Sequence, residues 1–272
     1  MKLKYGENPN QKAYYLTNSN SNLFNSQLSG KNLGYNNILD ISDGLSCLEE
    51  FREPTCVIIK HNNPCGIASA DNIDEAYEKA IQSDPISAFG GVVLFNKKIN
   101  TILAKKINIR FFEAIVAPKI NKKTLENLRV KKKIIIIDSD GLKNKKKLLF
   151  KSVNSGALYQ EKNNDRITKS KIKKVSKKSA HKRTMDDLIF AFKVAKHVKS
   201  NAIVLAHNKQ TLGIGAGQMS RLDSTRIAIL KYKDFFKNKE FVCASDAFFP
   251  FTDNLKLLLR LKCKGIIQPS GS

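Results

Sequence analysis

Apolar residues recur along this chain in two rhythms. Short β-branched runs bounded by polar or Gly/Pro clusters predict buried strands, and spacings of three and four predict surface helices. The stretch 18–37, rich in Ser, Asn and Gly, predicts a loop, and 38–51, with Leu45, Leu48 and Glu49 at helical spacing, predicts a helix. Cys56-Val57-Ile58-Ile59 predicts a strand buried on both faces, ending abruptly in Lys60-His61-Asn62-Asn63-Pro64. Those polar residues should therefore stand at the strand's carboxyl end. Asp71 is placed to cap a helix with Ile73, Ala76, Tyr77, Ala80 and Ile81 on one face, stopped by Asp84-Pro85. Strands at 91–95, at 114–117 and at the Ile134 run continue an alternation that points to an α/β layered architecture.

The stretch 162–183 is polar, cationic and without apolar period, and it reads as an exposed connection. A boundary placed there gives a first domain at 1–165, a basic linker at 166–183 and a second domain at 184–272. Thr184, with Asp187 three residues on, predicts a helix start ahead of Leu188, Ala191, Phe192, Ala195 and Val198. A strand at 202–205, a turn at 207–210 and a second strand leading into Gly213-Ile214-Gly215-Ala216-Gly217 follow. Helix 221–236, strand 241–244, a Leu-rich helix from Asp253 to about Lys262 and a strand from Gly265 complete the pattern. Both halves run strand, polar turn, helix, which suggests duplication of one α/β unit.

Composition narrows this picture. With 272 residues, 42% hydrophobic and 26% charged, the chain is in the ordinary globular range, so neither a disordered nor a fibrous class fits. The longest clean apolar stretch is Ile134 to Ile137, far short of a membrane span, and the residues after Met1 form no apolar signal region, so a cytosolic protein is expected. Five cysteines without a CxxC pair are expected to be free thiols. The net charge of +24 would ordinarily suggest a polyanion partner. Yet 22 basic against 5 acidic residues lie between Lys119 and Arg183, so +17 of it sits in one segment, and 40 of the 48 cations are Lys. Planar recognition of phosphate and bases favours Arg, so a lysine-rich solvated surface fits better than a nucleic-acid-binding module, which is the competing reading.

Three constellations could carry chemistry. Gly213, Gly215 and Gly217 fit neither a dinucleotide fingerprint, since Gln218 stands where glycine is needed, nor a Walker loop. They read instead as a bend allowing close backbone approach, with Arg221 at the next helix start either a phosphate partner or a simple surface cap. Lys60-His61 places a cation beside an imidazole at a strand mouth, which favours the neutral ring and suits proton abstraction, the competing reading being a structural histidine bonded to a neighbouring carbonyl. Pro64-Cys65 hints at a zinc deaminase, but Asn63 stands where Glu is required and Ala68 where the second Cys is, so no catalytic zinc is expected. Phe248-Phe249-Pro250-Phe251 is either core or an apolar slot for a flat heterocycle, with Asp253 able to pair with ring nitrogens.

Five ordered motifs then carry a resemblance: Tyr5-Gly6-Glu7-Asn8-Pro9-Asn10-Gln11, Lys60 to Gly66, Ser83-Asp84-Pro85-Ile86-Ser87-Ala88-Phe89-Gly90-Gly91, Gly213 to Arg221, and Ser245-Asp246-Ala247-Phe248-Phe249-Pro250-Phe251. Together they resemble the transformylase domain of the AICAR transformylase/IMP cyclohydrolase family, over nearly the whole chain. The resemblance implies an α/β fold of two cytidine-deaminase-like subdomains without zinc. It also implies formyl transfer from 10-formyltetrahydrofolate to the 5-amino group of AICAR, in a homodimer with sites near the subunit interface and no catalytic metal.

By motif position, the resemblance makes Lys60 the transition-state stabiliser and His61 the proton acceptor. It puts Lys4, Tyr5, Gly90, Glu113, Asn201 and Arg221 on the nucleotide, and Leu222, Phe248, Pro250, Phe251, Asp253 and Ser272 on the folate side. Lys4 replaces an arginine of the family, exchanging a bidentate fork for a point charge, and Glu113 stands where Asp is common. By the resemblance, Ser272 is expected to fall short of the family's C-terminal Arg- and His-containing segment, and the cyclohydrolase domain is expected to be absent from this chain. The expectation is an incomplete second subdomain and little transformylase activity from this chain alone.

Overall fold

The structure, a computed structural model, describes residues 1–17, 21–130, 133–142 and 148–271. The first half contains β1 (Gln27–Ser29), α1 (Tyr35–Leu48), β2 (Thr55–Lys60), β3 (Asn63–Ser69), α2 (Ile73–Ser83), β4 (Val92–Phe95), α3 (Thr101–Ile109), β5 (Ala114–Ala117), α4 (Lys122–Leu128) and β6 (Ile135–Asp138). A hairpin, β7 (Leu148–Val153) and β8 (Gly156–Glu161), and a short 3-10 turn (Lys169–Lys171) lead into the second half. That half contains α5 (Lys182–Ala195), β9 (Ile203–His207), β10 (Gln210–Gly215), α6 (Arg221–Phe236), β11 (Phe241–Ser245), α7 (Asp253–Leu259) and β12 (Cys263–Ile267).

Ten of these strands form one mixed sheet in the order β1-β6-β5-β4-β2-β3-β10-β9-β11-β12. The alternation of strand and helix thus yields an α/β fold, with the parallel pairs β4-β5, β5-β6 and β11-β12 flanking antiparallel hairpins. The order reads outward from the centre in the same way on both sides: hairpin β2-β3 then β4 and β5, hairpin β10-β9 then β11 and β12. Both hairpins turn on two non-glycine residues with positive φ, His61-Asn62 and Asn208-Lys209. The halves meet where β3 lies antiparallel to β10, through the register pair Gln210–Ala68. Thr211 closes this seam: its hydroxyl accepts from the Ile67 N–H at 3.0 Å and contacts Ser83 Oγ at 3.0 Å.

Alternate residues of each strand feed opposite faces. On one face Val57, Ile59, Leu94, Val116 and Val204 pack under α1 and α5 in a core continuous across both halves. On the other face the core is divided. Ile58, Val93 and Ile115 pack under α2, α3 and α4, and Ile203, Leu205 and Cys243 pack under α6 and α7. A cleft follows where those two cores part. Among the described residues, no helix is long and apolar enough to cross a membrane.

Several local expectations are corrected. The stretch predicted as loop from 18 contains β1 and the start of α1, while residues 18–20 lie outside the described ones. Helix α2 is capped by Asn72, whose side chain accepts from Glu75 N, and not by Asp71. Helix α5 begins at Lys182 after His181, so Thr184 is no cap, and Asp187 is buried and bonded to the β9-β10 turn. Strand β3 runs from Asn63 through Pro64 and Gly66, so the polar end of β2 leads at once into a second strand that the residue pattern did not predict. The basic stretch 162–183 is mostly exposed, as expected of a connection, with Lys162 paired to Glu49, Lys169 to Asp186 and Ile172 partly buried against the core. All five cysteines are free and buried or half-buried, and burial raises each thiol, Cys65 to about 12.

Candidate active site

The β2-β3 hairpin delivers Lys60 and His61 to one end of the sheet. Because β2 is buried on both faces, its last residue is the first that can reach solvent, and the chain must reverse in two residues to remain paired as β3. Lys60 Nζ donates to the Phe89 carbonyl at 2.6 Å. This ties it to the loop carrying Gly90, where a φ of 73° is available to glycine. His61 is exposed, and Asn63 beside it donates to the His61 carbonyl at 3.3 Å and accepts from the Lys199 N–H at 2.9 Å.

A cavity of about 270 Å³ opens here, lined by Lys60, His61 and Cys65 from the first half and by Gln218, Ile227 and Lys231 from the second. It occupies the parting of the two cores. Asp84, its side chain 8% exposed, crosses the cavity to Lys231 at 2.8 Å. Sequence reasoning took Asp84-Pro85 only as a helix stop and did not register Lys231. The one signal for Asp84 was its place in a motif.

Asn201 and Arg221 meet a few residues away. Arg221 reaches Asn201 Oδ1 at 2.7 Å and Ser245 Oγ at 2.9 Å and pairs with Asp246, while the Asn201 amide donates to the Gln218 carbonyl at 2.8 Å. Burial alone would raise Asp246, but hydrogen bonds from Ser200, the Ala202 N–H and Arg221 outweigh it and hold the carboxyl below its usual range. The expected glycine bend is only partly one: Gly213 and Gly215 lie within β10, and Gly217 alone, with φ of 69°, falls after the strand. A Cβ on Gly213 would stand 2.1 Å from the Ala228 carbonyl oxygen, and one on Gly215 would stand 1.8 Å from that of Ser224, so these glycines let α6 lie directly on the strand.

The remaining residues singled out from the sequence line the same end of the sheet in two outer groups. On the first-half side, Lys4 and Tyr5 line a cavity of about 740 Å³ with Lys31, which pairs with Glu113 at the start of β5. On the second-half side, Leu222 is the second residue of α6. Beyond β11, Phe249 packs partly against the core, whereas Phe248 and Phe251 are exposed along with Pro250 and Asp253. The aromatic run is therefore split, one ring inward and two outward. Asp253 Oδ1 accepts from the Asn254 N–H at 2.7 Å. Ser272 lies outside the described residues. Among the described residues, no group of three or more His, Cys, Asp or Glu side chains could hold a metal ion.

Sequence comparison covers the elements that build this site. A family model described as the AICARFT/IMPCHase bienzyme matches residues 1–231, a span that includes the Lys60-His61 turn, both cavities and Arg221. The chain belongs to the AICARFT/IMPCHase bienzyme family. Bifunctional purine biosynthesis proteins PurH from Caldicellulosiruptor bescii, Buchnera aphidicola and Aquifex aeolicus are 46, 43 and 41% identical to it. The alignments cover 99, 99 and 100% of this chain and 53, 53 and 54% of those proteins. This AICARFT/IMPCHase chain thus spans about half the length of the curated relatives it matches, and the aromatic run beyond residue 231 falls within those alignments.

Proposed function

We propose that the chain is the formyl-transferring part of a purine-biosynthesis enzyme, moving the formyl group of 10-formyltetrahydrofolate to the 5-amino group of AICAR. The observation that carries this reading is Lys60 and His61 side by side at the mouth of the cavity between the two cores. An aromatic amine conjugated to a carboxamide is a poor nucleophile, so it must lose a proton as its nitrogen bonds the formyl carbon. His61 takes that proton, and Lys60 faces the oxygen on which negative charge grows. A proton returns to the departing donor nitrogen. General-base assistance typically contributes about 10² to 10⁴ in rate, and one preorganised charge about 3 kcal/mol. The folate supplies the one-carbon unit, and the exposed Phe248 and Phe251 faces suit a flat ring.

The homodimer belongs to the same reading. Glu113 at the head of β5 and Asn201 before β9 are five strand steps apart in the sheet, about 24 Å at roughly 4.8 Å per step. One nucleotide does not bridge that gap. Two chains facing each other along this end would bring one chain's outer group to the other's centre, and exposed Ile86, Phe89 and Met219 stand there to be covered. A cytosolic location follows from the pathway. The test is formyl transfer from 10-formyltetrahydrofolate to AICAR by His61→Ala and Lys60→Ala. Each is expected to lower turnover by at least about 10² with AICAR binding largely intact. Turnover near that of the unaltered protein would remove that residue from the mechanism.

A further inference from the structure

The structure assigns to Asp40 and Asp43 of α1 a positioning role: they hold the His61–Asn62 turn in the shape that aims His61 at the cavity. The inference rests on the reading of His61 as the base. His61 and Asn62 have φ of 51° and 61°, the left-handed pair that a two-residue hairpin needs and that Asn-Gly ordinarily supplies. Neither residue here is glycine, so the conformation needs outside support. Asp40 Oδ1 accepts from the Asn62 N–H at 2.7 Å, and Asp43 Oδ2 accepts from the Asn62 side-chain amide at 2.9 Å. The two carboxylates lie one helical turn apart on α1, so both can reach the same residue. Burial raises the Asp40 carboxyl, and the Asn62 N–H and the nearby His61 imidazole draw it back.

The other half supplies an internal comparison. Asp187 is the sixth residue of α5, as Asp40 is of α1. It accepts from the N–H groups of Asn208 and Lys209 at 2.9 and 2.8 Å, in a turn with φ of 49° and 52°. The same device thus occurs twice, but only in the first half does the turn carry an imidazole into the cavity between the cores.

Steady-state kinetics of formyl transfer by variants of the full protein test this, with thermal unfolding to confirm that each is folded. A base displaced by about 1 Å can lose about 10² in rate. Asp40→Ala is expected to lower kcat by about 10- to 100-fold with KM for AICAR within about threefold. Asp40→Asn, which keeps an acceptor for the Asn62 N–H, should recover kcat to within about threefold of the unaltered protein. Asp43→Ala frees only the Asn62 side chain, so a fall of about three- to tenfold is expected, and it stands in if Asp40→Ala does not fold. Asp187→Ala loosens the equivalent turn and should leave kcat within about twofold. Unaltered kcat in Asp40→Ala and Asp43→Ala, an equal loss in Asp187→Ala, or no recovery in Asp40→Asn would each overturn the positioning role. Full turnover in His61→Ala would instead overturn the base reading itself.

Discussion

One carboxylate fastens the two halves on the face where their core is shared. Glu50, just past the end of α1, accepts from Lys196 Nζ at 2.7 Å and faces His197 Nε2 at 3.5 Å, both immediately beyond α5. The three side chains are 9, 17 and 13% exposed. Burial pulls the Glu50 carboxyl up, but the hydrogen bonds from His197 and Lys196 outweigh it and hold it at about 2 against an ordinary 4.5. At about 1.36 kcal/mol per pH unit that gap is worth about 3 kcal/mol. Since the folded value is depressed, this stabilisation is present above pH 4.5 and is lost as pH falls toward 2. At pH 3 linkage leaves roughly 1.4 kcal/mol. In Glu50→Gln the Lys196 ammonium keeps the Asp165 carbonyl at 3.1 Å. The loss should therefore be about 2 to 3 kcal/mol at pH 7, below the full penalty for an orphaned buried charge. Urea unfolding of both proteins at pH 7 and pH 3 measures it, with the difference expected to shrink to about 1 kcal/mol or less at the lower pH. A loss equal at both pH values, or under about 0.5 kcal/mol at pH 7, would refute the argument. Glu53 is a check on scale: its carboxyl is also held at about 2, by Lys209 against the pull of burial. That pair is 36 and 42% exposed, so solvent screening should reduce Glu53→Gln to about 1 kcal/mol or less.

At the seam, Thr211→Val leaves the Ile67 N–H buried without its acceptor and should cost about 1 to 3 kcal/mol by denaturant unfolding, while Thr211→Ser keeps the hydroxyl and should cost less than about 1. Equal losses would mean that the hydroxyl does not close the seam. Gly215→Ala forces a Cβ against the Ser224 carbonyl and should destabilise by about 2 kcal/mol or more, lowering Tm by at least about 4 °C. Gly156→Ala, with nothing within 4 Å of the added carbon, should leave Tm within about 1 °C; a similar fall in both would point to glycine flexibility, not helix packing.

Strands β2, β4, β5 and β11 and helices α2 and α6 were legible from the chain because burial on one or both faces writes itself directly into residue spacing. Lys60 and His61 were legible too, since a buried strand that ends in a cation and an imidazole announces its mouth. Strand β3 was not. Gly66 carries no strand signal until the Ala80 carbonyl is seen 2.1 Å from where its Cβ would stand, a contact made by a helix that follows it in the chain. The exposed β7-β8 hairpin leaves no burial signal to read. The partners of Asp40, Asp43, Asp187 and Glu50 lie 19 to 147 residues away, where local spacing carries no information. Periodicity reports which side of an element meets the core, and so the sequence by itself determined the α/β layers and the residue types at the strand mouth. Only the pairing of β3 with β10 decided that the two cores part beside His61, because that pairing depends on the join between two halves, each of which can satisfy its own apolar pattern alone.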